Sequence, residues 1–197
     1  MSVSHCIRFG SCLSAVALLL PGATGSMNRS CALGPPTAQS YTWNFPREAQ
    51  GLLKEVVSEA REVRQNADTL QRMTTDPDID WEPQAMELNQ IRGAINEMGT
   101  RLCRLESIRR VASPWEQKAI DADAPLIAEM ANEAQAAITY LNDNHHDLFN
   151  PTYRDYAAGL YQRSSRLAGN GAEFDNFGKI HQEDIRLEKS LGLIKGS

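Results

Sequence analysis

A repeat of apolar residues between Ala49 and Leu70 most constrains how this chain can fold. The repeated positions are separated by alternating steps of four and three residues, and they are Ala49, Leu53, Val56, Ala60, Val63, Ala67 and Leu70. Glu, Arg, Lys and Gln occupy most of the positions between them. A period of about 3.5 residues turns one narrow apolar face of an α-helix toward a neighbouring helix. The stretch therefore predicts a long amphipathic helix that packs against others.

Similar apolar spacing recurs three times and predicts three further helices. The apolar positions are Leu88, Ile91, Ile95, Met98, Leu102 and Leu105 in the second helix, Trp115, Ala119, Ala122, Leu126, Met130, Ala134, Ala137 and Leu141 in the third, and Tyr153, Tyr156, Leu160, Leu167, Phe174 and Phe177 in the fourth. Runs of β-branched residues are nearly absent, which argues against a core built on a sheet.

Prolines and capping residues indicate where the helices begin and end. The first helix is expected from about Pro46 to Met73, because Pro77 prevents its continuation. Asp80 is expected to cap the second helix. Ser113-Pro114-Trp115-Glu116 has the pattern of a capping box and starts the third. Asn150-Pro151 starts the fourth in a similar way.

Short links between these helices predict an all-α, antiparallel up-down-up-down four-helix bundle over residues 45–192, followed by a frayed tail at 193–197. Pro125 is expected to kink the third helix, because it removes a hydrogen bond to Asp121. Gly169-Asn170-Gly171 is expected to bend or break the fourth helix.

Residues 1–25 have the pattern of a secretory signal peptide, and residues 26–44 that of a flexible leader. Arg8 precedes the apolar run 13–20, and small residues follow it at 23–25. The run is too short to span a bilayer, which takes about 20 residues. Export to the periplasm or the extracellular space is therefore expected. The alternatives are a buried helix at 13–20, initiation at Met27, or cleavage after Ala32 or Ala38.

Two cysteines would remain after removal of residues 1–25, and the sequence leaves their state open. Cys31 and Cys103 can form a disulfide in an oxidising compartment. Alternatively, Cys103 packs beside the apolar face of its helix as a small buried residue. Tyr41, Trp43 and Phe45, just before the first helix, are expected to fold back onto the end of the bundle, and the alternative is that they bind a partner.

Charge and motifs exclude several functional classes. With a formal net charge of -5, the chain lacks the basic surface that is typical of a nucleic-acid-binding protein. The sequence contains no Gly-x-Ser-x-Gly, no His-Glu-x-x-His and no glycine-rich phosphate loop, so no catalytic residue is assigned. Neighbouring acids such as Asp121 and Asp123 are interpreted as part of a solvated helix face.

Metal and haem sites have only weak candidates, and no cofactor is assigned. A di-iron bundle needs Glu-x-x-His on two helices, and this pattern does not occur in the chain. His145, His146 and Asp147 lie in a predicted loop, where they could hold a surface cation. His181 could face inward and, with a methionine on another helix, hold a haem.

These observations favour an exported, non-catalytic helical bundle that acts by protein–protein contact or self-association. Its partner would be another protein or a second copy of the chain, with no nucleic acid and no stable membrane span. The alternative is a periplasmic four-helix bundle that binds a metal or haem through the weak candidates His145, His146, Asp147 and His181.

Overall fold

Four α-helices account for nearly all of the chain that the structure describes. The structure is a computed structural model that describes residues 45–193. The helices are α1 (Phe45–Met73), α2 (Trp81–Ile108), α3 (Pro114–Asp143) and α4 (Pro151–Ser190), and a short 3-10 helix, Arg109–Val111, joins α2 to α3. Residues 45–193 contain no strand. The all-α expectation is confirmed for this part of the chain.

Several predictions fall on residues outside the described range. They are the signal peptide at 1–25, the leader at 26–44 with Cys31, Tyr41 and Trp43, and the last four residues of the tail, 194–197. Within the described range, no helix combines the length and the apolar character that crossing a membrane requires.

The helix starts follow the capping residues to different degrees. Glu116 Oε2 accepts hydrogen bonds from the Ser113 backbone N–H at 2.7 Å and from the Ser113 hydroxyl at 2.6 Å, which stabilises the start of α3. Asn150 Oδ1 accepts a hydrogen bond from the Thr152 backbone N–H at 3.0 Å. Asp80 precedes α2 with an extended backbone, but its side chain makes no capping hydrogen bond.

The apolar face of α1 lies at the centre of the fold. All seven of its repeated positions are buried. The helix packs extensively against both α2 and α4, whereas it contacts α3 only sparsely. The helix α3 packs in turn against α4 and α2. Each helix therefore buries its apolar side against two neighbours.

The helices α2 and α3 bury a somewhat different set of residues from the one that their spacing predicts. In α3, Ile120 and Ile127 are buried, while Trp115 and Ala122 are only partly so. In α2, Leu102 is half-buried rather than part of the core. A helix that packs against two neighbours buries a face wider than a single 3-4 seam. The 3-4 spacing alone therefore predicts the wrong set of buried residues.

The helix α4 runs without interruption over 40 residues, so it does not break at 169–171, and a bend there stays a prediction. Gly171 instead lies against α1, where a Cβ atom would come within 1.9 Å of Val57 Cγ2. The glycine allows the two backbones to approach closely. The helix α3 likewise continues past Pro125, which is exposed.

Replacing Gly171 with alanine is expected to destabilise the protein by about 1–3 kcal/mol, because the new methyl group would overlap the stiff side chain of Val57. Gly169 is the matched control, since it is exposed on the same helix and a Cβ atom added there would have nothing within 4 Å. Gly169→Ala should stabilise the helix by up to about 1 kcal/mol. Urea unfolding of both variants measures the difference. Equal stability of the two variants would show that α1 and α4 are not in close contact here.

Candidate functional site

A cavity of about 480 Å³ lies between α1, α3 and α4. Small residues at the helix contacts, including Ala119 and Gly171, leave this space open. Its apolar lining includes Leu53 and Val57 from α1, Trp115 from α3, and Phe174 from α4. Its charged lining residues are Lys54, Arg61, Asp123, Asp175 and Lys179. Ligand sites in proteins commonly have about 300–1,000 Å³ and a similar mixture of apolar and polar groups.

Asp123 is the unusual residue of this cavity. Its side chain comes from the middle of α3, and the residue is only 2% exposed. Its Oδ1 atom is buried and has no hydrogen-bond partner among the described residues. Burial disfavours the charged carboxylate and raises the pKa of Asp123 from 3.8 to about 7. The carboxyl group can therefore gain or lose a proton near neutral pH.

The two lysines that line the cavity lie around Asp175 and not around Asp123. Asp175 Oδ2 lies 2.7 Å from Lys179 Nζ, and its Oδ1 lies 3.5 Å from Lys54 Nζ. The hydrogen bond from Lys179 is the main cause that lowers the pKa of Asp175. Arg61 lines the cavity and forms no ion pair within residues 45–193. The two lysines are thus paired with Asp175, although Asp175 Oδ1, like Asp123 Oδ1, makes no hydrogen bond within the described residues, and Arg61 is exposed to solvent.

An exposed apolar stripe on α4 is the second unusual feature. We define this α4 stripe by its four residues, which are 50–71% exposed: Phe177, Ile180, Leu187 and Leu191. Together with Asp184 they repeat at steps of three and four residues, as the core positions of α1 do. Gly178 of the same helix faces the other way, against Trp115 and Gln50. Ile180, Leu187 and Leu191 therefore point away from the other helices, while Phe177 lies at the edge of the helix packing.

No protein family, curated protein or solved structure matches the chain.

The predicted metal and haem candidates do not come together in the structure. His145 is half-buried and packs edge-on against the Trp81 ring, with centroids 5.0 Å apart. His146 and Asp147 are exposed beside it. His181 is exposed and stacks on Phe177 with centroids 6.2 Å apart. Within residues 45–193 no three His, Cys, Asp or Glu side chains are grouped as metal ligands would be.

The positions of two side chains of α4 bear on the predicted core and on the haem candidate. His181 does not face inward, because nearly all of α4 beyond Gly178 is exposed. Phe177, predicted on the buried side of α4, is 53% exposed. It lies at the edge of the helix packing, where it contacts Trp115 at a centroid distance of 6.4 Å.

Sequence reasoning also misses Asp123, because it groups this residue with Asp121. Asp121 is indeed exposed and forms an ion pair with Arg109. Asp123, however, follows Ala119 and Ile120 by four and three residues and precedes Leu126 and Ile127 by three and four. That spacing places it on the apolar face of α3, and it is the signal that could have found the buried carboxyl group.

Relative to the wild type, the Asp123→Asn variant is expected to gain about 2–3 kcal/mol of stability between pH 5 and pH 8. The folded protein holds the Asp123 proton up to about pH 7, whereas the unfolded chain releases it near pH 4. The wild type therefore loses stability as the pH rises through this window, and the asparagine variant does not. Urea unfolding at the two pH values measures the difference.

Asp121→Asn is the matched control for this measurement. Asp121 is exposed, and the hydrogen bond from Arg109 lowers its pKa. The control should therefore change stability by the same small amount at both pH values. If Asp123→Asn also has the same effect at both, the carboxyl group does not titrate near pH 7.

Proposed function

We propose that this protein is an exported, non-catalytic four-helix bundle that acts by self-association through the α4 stripe. The antiparallel up-down-up-down arrangement is supported by contacts that run in opposite directions along paired helices. Glu48 and Glu55 of α1 form ion pairs with Arg104 and Arg101 of α2, respectively. The contacts of α1 with α4 and of α3 with α4 run in opposite directions in the same way.

The α4 stripe is the observation that carries this proposal. Contiguous apolar groups on the surface of a folded protein commonly mark sites of contact with another protein. The 3-4 spacing of the stripe is the spacing by which two helices pack side by side. A second α4 helix presents the same stripe, so two copies can cover one another with a two-fold symmetric contact.

The charges near the stripe favour an antiparallel pair of α4 helices. In a parallel pair, Asp184 would face Asp184 of the second copy, and Glu183 would lie near Glu188 of that copy. Like charges so placed oppose association. An antiparallel pair instead sets Asp184 across from Leu187 and brings His181 near Glu188. The contact is short, so the dimer should be weak and concentration-dependent.

Leu187→Glu is expected to shift the self-association equilibrium to the monomer, because it places a charge in the centre of the apolar contact. Lys189→Glu is the matched control, since Lys189 is exposed on the other side of the same helical turn. It should leave the dimer intact although it changes the net charge more. Sedimentation velocity over a range of concentrations measures both. A wild type that stays monomeric, or equal behaviour of the two variants, would contradict the proposal.

Export is supported by the state of Cys103. This residue, half-buried on α2, is disulfide-bonded, and its partner lies outside the described residues. Disulfides persist mainly in oxidising compartments. The other cysteines are Cys6, Cys12 and Cys31, and removal of residues 1–25 would leave only Cys31. We therefore propose that the exported protein contains a Cys31–Cys103 disulfide.

The position of Cys103 is compatible with this pairing. Its neighbour Arg104 forms an ion pair with Glu48, near the start of α1. The segment between Cys31 and Phe45 therefore joins α1 close to Cys103, and its 13 residues are long enough to reach it at about 3.3 Å per residue.

Protein isolated from the envelope or the medium should lack residues 1–25 and contain one disulfide between Cys31 and Cys103. Non-reducing peptide mapping by mass spectrometry identifies the linked peptides and the new N-terminus. Cys31→Ser should leave a free thiol at Cys103, which an alkylating reagent detects. Retention of residues 1–25 would contradict export, and a link to Cys6 or Cys12 would contradict the pairing.

The alternative function, binding of a metal or haem, has less support. His181 is exposed on α4, and His145 packs edge-on against Trp81. No observation on the described residues favours this alternative over self-association.

A further inference from the structure

We propose that the cavity between α1, α3 and α4 binds a small zwitterion of the amino-acid type, with an ammonium group, a carboxylate and an apolar body. Asp123 would accept hydrogen bonds from the ammonium group, and Arg61 would pair with the carboxylate. The apolar body would lie among Trp115, Phe174 and Leu53. This site is separate from the α4 stripe and does not depend on self-association.

The first argument comes from Asp123. A buried oxygen without a hydrogen-bond partner destabilises the folded protein, and buried polar groups in folded proteins are nearly always paired. The residue is 2% exposed, lines the cavity, and its Oδ1 atom has no partner among the described residues. A ligand that donates hydrogen bonds from inside the cavity would satisfy this atom.

The second argument concerns the other charged groups around the cavity. Lys54 and Lys179 are the cations nearest to Asp175, and both form ion pairs with it. They are therefore held by another carboxylate. Arg61 has no such partner within the described range and can form two parallel hydrogen bonds to a carboxylate. The lining of the cavity thus includes one acidic group, which is buried, and one basic group, which is exposed to solvent, for a ligand that carries both charges.

The third argument comes from the size and the walls of the cavity. A volume of about 480 Å³ accommodates a molecule of amino-acid size with some water. Trp115 and Phe174 supply aromatic surface, and Leu53 and Val57 supply aliphatic surface. An ammonium group near the face of an aromatic ring is further stabilised by the ring electrons. An apolar side chain on the ligand is therefore favoured over a polar one.

Three related probes separate the contributions of the two charged groups. They are L-phenylalanine, phenethylamine, which lacks the carboxylate, and 3-phenylpropanoate, which lacks the amine. Titration calorimetry at pH 8 should show saturable binding of L-phenylalanine and weaker binding of the other two. Asp123→Asn should weaken the binding of L-phenylalanine and phenethylamine by about tenfold or more and leave the binding of 3-phenylpropanoate unchanged. Arg61→Gln should weaken the binding of 3-phenylpropanoate and leave the binding of phenethylamine unchanged.

The controls distinguish a specific site from a change in folding. Asp155→Asn removes an exposed carboxylate on α4 outside the cavity and should leave all three affinities unchanged. Far-UV circular dichroism checks that each variant is folded. The monomeric Leu187→Glu variant should bind L-phenylalanine like the wild type, so that a failure of self-association does not affect this test.

The pH provides an independent readout. Lys54 and Arg61 of α1 and Asp175 and Lys179 of α4 also line the cavity. Because burial raises the pKa of Asp123 to about 7, phenethylamine should bind about tenfold more weakly at pH 6 than at pH 8. Equal binding at the two pH values, equal binding to wild type and Asp123→Asn, or no binding of any of the three probes would overturn the proposal.

Discussion

The burial of the apolar face of α1 is the interaction on which the rest of the fold depends. This helix contacts both α2 and α4, and its seven repeated positions are shielded from water. Full burial of a valine or leucine side chain contributes about 1.5–3 kcal/mol. By comparison, the exposed ion pairs between helices, such as that of Arg101 with Glu55, contribute only about 0–1 kcal/mol each. They help to set the register of the helices more than their stability.

Small residues connect this packing to the candidate site. Where α1 presents leucine or valine to a neighbouring helix, the size of both side chains normally sets how closely the two helices approach. At Gly171 the partner has no side chain, so Val57 fits directly against the α4 backbone. The same small residues leave space beside this contact, and the cavity occupies it. The small residues thus explain both the close approach of α1 and α4 at Gly171 and the cavity next to it.

The sequence could predict the helices because their periodicity and capping residues are local features. It could not predict which helical residues find a partner, since that depends on the length and position of the neighbouring helices. Phe177 has the spacing of a core residue but lies at the edge of the packing. Asp123 is chemically typical of a surface, yet it lies where α3 faces two other helices.

The two unusual features both weaken the isolated fold in a way that binding would relieve. A leucine or an asparagine at position 123 would avoid the cost of burying a carboxyl group, and polar residues in the α4 stripe would avoid exposing apolar surface to water. Neither feature contributes to the packing of α1, on which the fold depends. Natural proteins are stable by only about 5–15 kcal/mol, so two such costs are substantial. Asp123 and the α4 stripe destabilise the isolated protein and do not support its helix packing. A bound ligand explains Asp123, and a second copy of the chain explains the α4 stripe, more readily than the stability of the helices does.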